Sequence, residues 1–198
     1  MNNPKSVKVD NILYDINTDF RVALECNNIA EDVTIGDYER ALAIIYKLFG
    51  EKGLKCKNLN KLFELAMQYL SLGTEKNELK TENSDDFELD FNKCKGLIRS
   101  SFKFDYQYDP YSLEYLHWYD FYNDLSNLST SEFGTCCALN RIISILNTKT
   151  SEIKDNKQRT EILKVQEELK EKYCKLKEKE MTEEQKQSSE EFYKALGF

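Results

Sequence analysis

Leu113–Leu125, LEYLHWYDFYNDL, is the densest aromatic run in the chain and sets the terms on which the rest is read. Tyr115, Trp118, Tyr119, Phe121 and Tyr122 all fall in it, with the single histidine, His117, and the single tryptophan. Read as a helix, Tyr115, Trp118, Tyr119, Tyr122 and Leu125 share one face, while Leu113, Leu116 and Asp120 turn toward another. A helix that is apolar on two faces is either central to its domain or offers one face to another molecule. Tyrosine and tryptophan suit either place, because each couples a large ring to a polar handle.

Outward from this stretch the composition favours helices. The 198 residues include only two prolines and seven glycines, too few for a turn-rich sandwich or barrel. Hydrophobic residues make up 40% and aromatics 12%, enough to build a core without staples. A formal net charge of -7 argues against a nucleic-acid partner, since phosphate binding draws on a basic face. No polybasic flank borders an amphipathic segment, and no apolar run approaches the roughly 20 residues that span a bilayer, so no membrane partner is expected. The opening MNNPKSVKVDN lacks an apolar signal region. The six cysteines, Cys26, Cys56, Cys94, Cys136, Cys137 and Cys174, form no Cys-x-x-Cys pair. They are expected to act as small apolar residues in a reducing compartment.

Along the chain, Val7–Ile16 (VKVDNILYDI) alternates around Asp10-Asn11, which predicts a β-hairpin. Thr18 is the expected N-cap of a first helix, with Asp19 opposing its dipole and Phe20, Ala23 and Leu24 on its apolar face. Gly36-Asp37 opens a second, striped by Tyr38, Ala41, Leu42, Ile45, Leu48 and Phe49 and ended by Gly50. A third starts at Asn58, with Leu59, Leu62, Phe63, Ala66 and Leu70 as its stripe and Gly73 as its stop. Residues 74–86 are polar and read as an exposed loop. Asp85 or Asp86 is the expected cap of a fourth helix striped by Phe87, Phe91, Cys94, Ile98 and Phe102. Asp109-Pro110 starts the aromatic helix.

Ser129-x-x-Glu132 is a capping-box pattern for a sixth helix through Leu146, with Phe133, Cys136, Cys137, Asn140, Ile143 and Leu146 inward. A charged helix from Asp155 or Thr160 to Glu180 carries a thin seam of Ile162, Val165, Leu169, Tyr173 and Leu176. That seam needs a partner helix, from this chain or another. Thr182-x-x-Gln185 opens a last short helix. The expected fold is mainly α, a bundle of about six to eight helices with a small N-terminal β-hairpin. Residues 1–150 read as a hairpin plus helical domain, and 151–198 as a charged C-terminal helical extension.

The chemistry is sparse. His117 has Asp120 three residues on, within reach as a base–carboxylate pair on a helix, but one histidine more often bonds a backbone group. Cys136 or Cys137 as a nucleophile would need a depressed pKa and access, which nothing in the sequence supplies. The acids Asp85, Asp86, Glu88 and Asp90 do not follow a calcium-loop pattern, and no glycine-rich phosphate loop or His-x-x-x-His pair occurs. The expectation is therefore a protein that is not an enzyme, with no catalytic, cofactor-binding or metal-binding residues and no cofactor.

Three segments carry a family resemblance. Tyr14–Arg21 (YDINTDFR) resembles the opening motif of the gene-product-fifteen family of tailed phages of Gram-positive bacteria: a hairpin, then a Thr-Asp-Phe-Arg helix start. Glu114–Tyr119 (EYLHWY) resembles its His-Trp-Trp signature, with Tyr119 in place of the second tryptophan. Glu132-Phe133-Gly134, then Arg141, then Ser151–Arg159 (SEIKDNKQR) resembles its closing pattern, although Ala138–Thr150 keeps only the arginine of the family's Gly-Tyr-Arg. The three occur in the family's order and spacing and cover roughly residues 7–175. The last twenty residues read as an extension.

Such products lie between the major tail protein and the tape measure protein in phage genomes. The resemblance therefore implies a tail assembly chaperone that binds the tape measure protein in the host cytoplasm, with the tail tube protein and a second copy of the chain as further candidate partners. The alternative is a structural or adaptor component retained in the tail or a tail-like particle. The residues expected to meet the partner are Tyr115, Trp118 and Tyr122, then Ile162, Val165 and Leu169. Asp19 and Arg21 are read as holding the fold.

Overall fold

The computed structural model describes residues 3–72, 87–130 and 136–176. The expected stop at Gly73, the caps Asp85 and Asp86, the box residue Glu132, Phe133 and the helix from Thr182 all lie outside them. The described residues are mainly helical, with seven α-helices and a small N-terminal hairpin. They fall into two compact units.

The first unit holds residues 3–72 and 115–121. Strands β1 (Ser6–Val9) and β2 (Ile12–Asp15) form the expected hairpin, pairing Val9 with Ile12 across the turn. Both turn residues have positive φ, Asp10 at 47° and Asn11 at 62°, the geometry that matches strand twist in a two-residue loop. Val9, Tyr14 and Ile16 are buried. Three helices follow: α1 (Phe20–Glu31), α2 (Asp37–Leu54) and α3 (Leu59–Leu70). Helices α1 and α3 both pack on α2. Their buried faces, Phe20, Ala23, Leu24 and Cys26 on α1, Ala41, Ile44, Ile45 and Leu48 on α2, and Leu62, Ala66 and Leu70 on α3, make the core.

One local expectation changes here. The N-cap of α1 is Asp19, not Thr18: its carboxylate accepts the Arg21 N–H at 2.9 Å and pairs with the Arg21 side chain at 2.6 Å. Thr18 is committed elsewhere, as described below. Gly50, with φ 64° and ψ −160°, is non-helical and ends the first stretch of α2 as expected; a short second helical stretch runs on to Leu54. The extra turn is held from both sides. Lys52 Nζ donates to the Leu13 carbonyl at 2.7 Å, and Gly53 lies so close to Ile45 and Phe49 that a Cβ there would sit 2.7 Å from Phe49 Cβ.

The second unit holds the described residues of 87–114 and 122–176. Here β3 (Phe87–Leu89) pairs antiparallel with β4 (Cys174–Leu176), where the apolar spacing predicted helix at both places. The N-cap position of the helix that follows is Cys94, with no side-chain cap bond, and the acid that acts locally is in the turn before it. Asp90 accepts the N–H groups of Asn92 at 2.8 Å and Lys93 at 3.2 Å, and α4 (Lys95–Tyr106) begins only after that turn. Asp109 caps only the 3-10 turn Pro110–Ser112; it does not start the aromatic helix as expected, since α5 (Trp118–Ser126) begins six residues after Ser112.

Helix α6 (Ala138–Leu146) packs on α4 and on α7 (Asn156–Tyr173), which is capped by Asp155. Helix α7 thus has a partner helix, α6, in the same chain. Of the expected inward face of α6, Cys137 is the N-cap and Leu146 is buried, while Asn140 uses its amide to satisfy the Leu128 and Ser129 carbonyls at 2.9 and 3.0 Å. The extension read over 151–198 is described only as far as residue 176.

Candidate interaction surface

The aromatic stretch does not become helical at its start. Residues before Trp118 run extended against the segment that precedes α1: Asp19 and His117 form an antiparallel bridge, the Phe20 N–H bonds the Leu116 carbonyl at 3.0 Å, and the Trp118 N–H bonds the Thr18 carbonyl at 2.8 Å. Helix α5 (Trp118–Ser126) begins where that pairing stops. Strand-like pairing to Thr18 and Phe20 competes with helix for the same backbone groups, and the local periodicity carries no sign of it.

That register decides where each ring goes. Trp118 is 2% exposed; its indole N–H donates to the Leu70 carbonyl at 3.2 Å, satisfying the end of α3. Its ring stacks on Phe121 at 6.0 Å, and Phe121 stacks on Phe20 at 4.3 Å. Trp118, expected at a partner surface, is therefore a core residue of the first unit. The extended entry turns it inward while its indole finds a buried carbonyl, so burial costs no hydrogen bond.

His117 is equally committed. Its Nδ1 accepts the Tyr119 N–H at 3.1 Å, so Nε2 carries the proton and donates to the Pro4 carbonyl at 3.2 Å. His117 thus bonds backbone groups, as a lone histidine more often does, and Asp120, the candidate carboxylate three residues on, instead accepts the Asn3 amide at 2.7 Å. Both ring nitrogens are used by backbone, and the ring holds the N-terminal strand to the start of α5.

Tyr115 has the opposite fate. It is 53% exposed, with its hydroxyl 2.6 Å from that of Thr18. Tyr119, half-buried, stacks on Tyr69 of α3 at 5.3 Å, and His117 meets both rings edge-on at 6.4 and 5.6 Å. Tyr69 is 4% exposed, and burial, then Tyr119 and Tyr115, push its phenol pKa up. Sequence reasoning missed Tyr69, although it follows Leu62 by seven residues and Ala66 by three, on the buried face of α3.

In the second unit Tyr122, Ile162 and Leu169 are half-buried and Val165 is exposed. The most buried residue of α7 is polar. Gln166 donates its amide to the carbonyls of Ile145 at 2.9 Å, Leu146 at 3.4 Å and Thr148 at 2.9 Å, capping the end of α6 from outside that helix. Asp109 pairs with Arg99 at 2.6 Å and Lys103 at 3.4 Å; the Arg99 guanidinium, with the Ser112 and Tyr111 contacts, holds its carboxyl down to about 2. Burial pushes the Cys26 and Cys94 thiols up to about 12, the reverse of an activated nucleophile. Among the described residues no group of His, Cys, Asp and Glu is arranged to hold a metal ion, and no helix is long and apolar enough to cross a membrane.

Hairpin, helices and a largely buried aromatic cluster of Tyr69, His117 and Tyr119 define a mainly α protein. The family model described as Bacteriophage Gp15 protein matches residues 1–173, most of the chain, and the protein belongs to that bacteriophage family. No curated protein and no solved structure matches it.

Proposed function

We propose that this protein is a tail assembly chaperone that binds the tape measure protein non-covalently in the host cytoplasm and keeps it soluble until tail tube subunits assemble around it. Family membership supports the phage setting. The single observation that favours a binding role is Tyr115, an aromatic 53% exposed in the same segment whose Trp118 and Phe121 are buried. Large exposed rings with polar tips are the side chains that anchor interfaces.

A long helical client presents apolar stripes that would otherwise self-associate. Docking of such stripes against exposed aromatic and aliphatic side chains follows helix-in-groove recognition. The net charge of -7 keeps the complex apart from its neighbours by repulsion. Binding must be reversible, because tube subunits displace it, so many weak contacts serve better than one tight one.

The work needs no covalent step. The backbone commitments of His117 and the raised thiol pKa values of Cys26 and Cys94 fit that reading. Co-expression with the tape measure protein tests it: the client is soluble with this protein and aggregates without it. Equal solubility and equal incorporation into tails in its absence would end the proposal.

A further inference from the structure

The hairpin of the first unit leaves one of its two edges open. The Ile16 N–H bonds the Lys5 carbonyl at 2.9 Å, so Lys5 and Ile16 are a hydrogen-bonded pair, and by alternation Val7–Tyr14 and Val9–Ile12 are the next two. Ser6 and Lys8, which lie opposite Asp15 and Leu13, therefore turn their main-chain groups away from β2. The same alternation turns the Leu13 carbonyl outward on the far side, and there it is taken, by Lys52 Nζ at 2.7 Å. The β1 side has no such partner. The main-chain N–H and C=O groups of Ser6 and Lys8 make no hydrogen bond among the described residues, and in this strand Ser6 and Val7 are half-buried and Lys8 is exposed. The open run is bounded by the turn at Asp10 and by Pro4, which has no N–H and whose carbonyl accepts from His117. Such an edge is a template for another strand.

We propose that this edge pairs with the same edge of a second copy, β1 antiparallel to β1 about a two-fold axis at Val7, so that two hairpins make a four-stranded sheet. The outward groups dictate the register. Ser6 opposite the copy's Lys8 uses every outward N–H and C=O, through four bonds. A slip by two residues one way sets Lys8 against Lys8, like charges directly opposed, and the other way asks for an N–H from Pro4, which has none. The side chains agree with that register. On the face that carries Lys8, one row runs Leu13, Lys8, the copy's Ser6 and the copy's Asp15, which brings an exposed cation and an exposed carboxylate into line across a serine. On the opposite face the half-buried Val7 meets the copy's Val7 at the axis, a β-branched pair of the kind that stabilises sheets. The occupant is a second copy because the edge is complementary to itself in hydrogen bonds, charge and side-chain size, and one patch used twice closes the assembly at two. A two-stranded hairpin is marginal by itself, so both copies gain from the wider sheet. The proposal is independent of the chaperone reading.

Sedimentation of the full chain over a concentration series tests it. Wild type should pass from monomer to dimer as concentration rises; a monomer throughout overturns the proposal, and so does an edge found to take an extended segment of a different protein instead. Ser6→Pro removes one outward N–H and spares the β1–β2 ladder, in which that N–H takes no part. Two of the four bonds go, and the dissociation constant of the dimer should rise about 5- to 150-fold. An unchanged constant overturns the proposal. Should the proline variant fail to fold, Val7→Cys and Lys8→Cys still decide. Val7 and the copy's Val7 form a non-hydrogen-bonded pair with Cα atoms about 4.5 Å apart, within disulfide reach. Val7→Cys should therefore give a linked dimer on oxidation with copper phenanthroline, above any linking of wild type through its own cysteines, and Lys8→Cys, two residues out of line with its counterpart, should not. Linking at position 8 alone, or at neither position, means another register or another interface and overturns the proposal.

Discussion

The aromatic segment of the first unit and the α7 seam of the second are both apolar stripes in the sequence, yet they are used in opposite ways. Residues 115–121 drive two rings to the bottom of a core, Trp118 at 2% and Phe121 at 0% exposed, and leave Tyr115 outside. Helix α7 lies shallowly on α6, with Ile162 and Leu169 half-buried, Val165 exposed, and Gln166 as its deepest side chain. Spacing of apolar residues names the face that turns inward; it does not say how deep that face goes. Depth is set by what waits there. Trp118 meets a free carbonyl at the end of α3 and the rings of Phe20 and Phe121, whereas Gln166 meets three carbonyls at the end of α6.

The contrast is broken or sharpened by substitution. Trp118→Ala has the largest expected effect, a loss of about 3–5 kcal/mol in chemical denaturation, enough to unfold a marginal domain. A loss below about 1 kcal/mol would mean that the indole is not the core residue described. Gln166→Ala follows, at about 1–2 kcal/mol, because it strands carbonyls rather than emptying a cavity. An apolar anchor in its place would have cost more, so a loss as large as that of Trp118→Ala would erase the distinction between the two regions.

Next comes the pH response of the second unit. The Asp109 carboxyl is held near 2 in the folded chain and titrates near 3.9 when unfolded. Its contribution is therefore complete above about pH 4 and is lost as pH falls toward 2, and Asp109→Asn should flatten the stability curve in that window. With Arg99 45% exposed, solvent screening limits the effect to about 1 kcal/mol. The smallest change is Tyr115→Ala, within about 0.5 kcal/mol of wild type in denaturation, as for other exposed sites. That variant should nonetheless lower the yield of soluble tape measure protein on co-expression; unchanged yield would move the binding surface away from Tyr115.

Much of this was legible in local chemistry. Asp10-Asn11 wrote the hairpin turn, Gly36-Asp37 and Asn58 opened α2 and α3, and Asp155 capped α7, because caps and turns are decided by neighbours in sequence. The helix bounds around Phe87 and Leu113 were not legible. Phe87–Leu89 is drawn into pairing with Cys174–Leu176, and Leu116–Trp118 into pairing with Thr18–Phe20, partners far away along the chain. Of the expected partner-facing residues, Tyr115 could be recognised as a ring with a wet edge, but neither its exposure nor the burial of Trp118 could be read from a stripe that contains both.

Sequence alone determined the helical character, the hairpin, the openings of α2, α3 and α7 and, through three motifs, the family, since each depends on residue type and short spacing. Tertiary structure alone decided which aromatic is core, which nitrogen of His117 holds its proton, and that a buried phenol on α3 lies without a partner. Those outcomes depend on backbone groups from distant segments meeting in space, and a carbonyl that is free in one fold and bonded in another leaves no mark on the order of the residues.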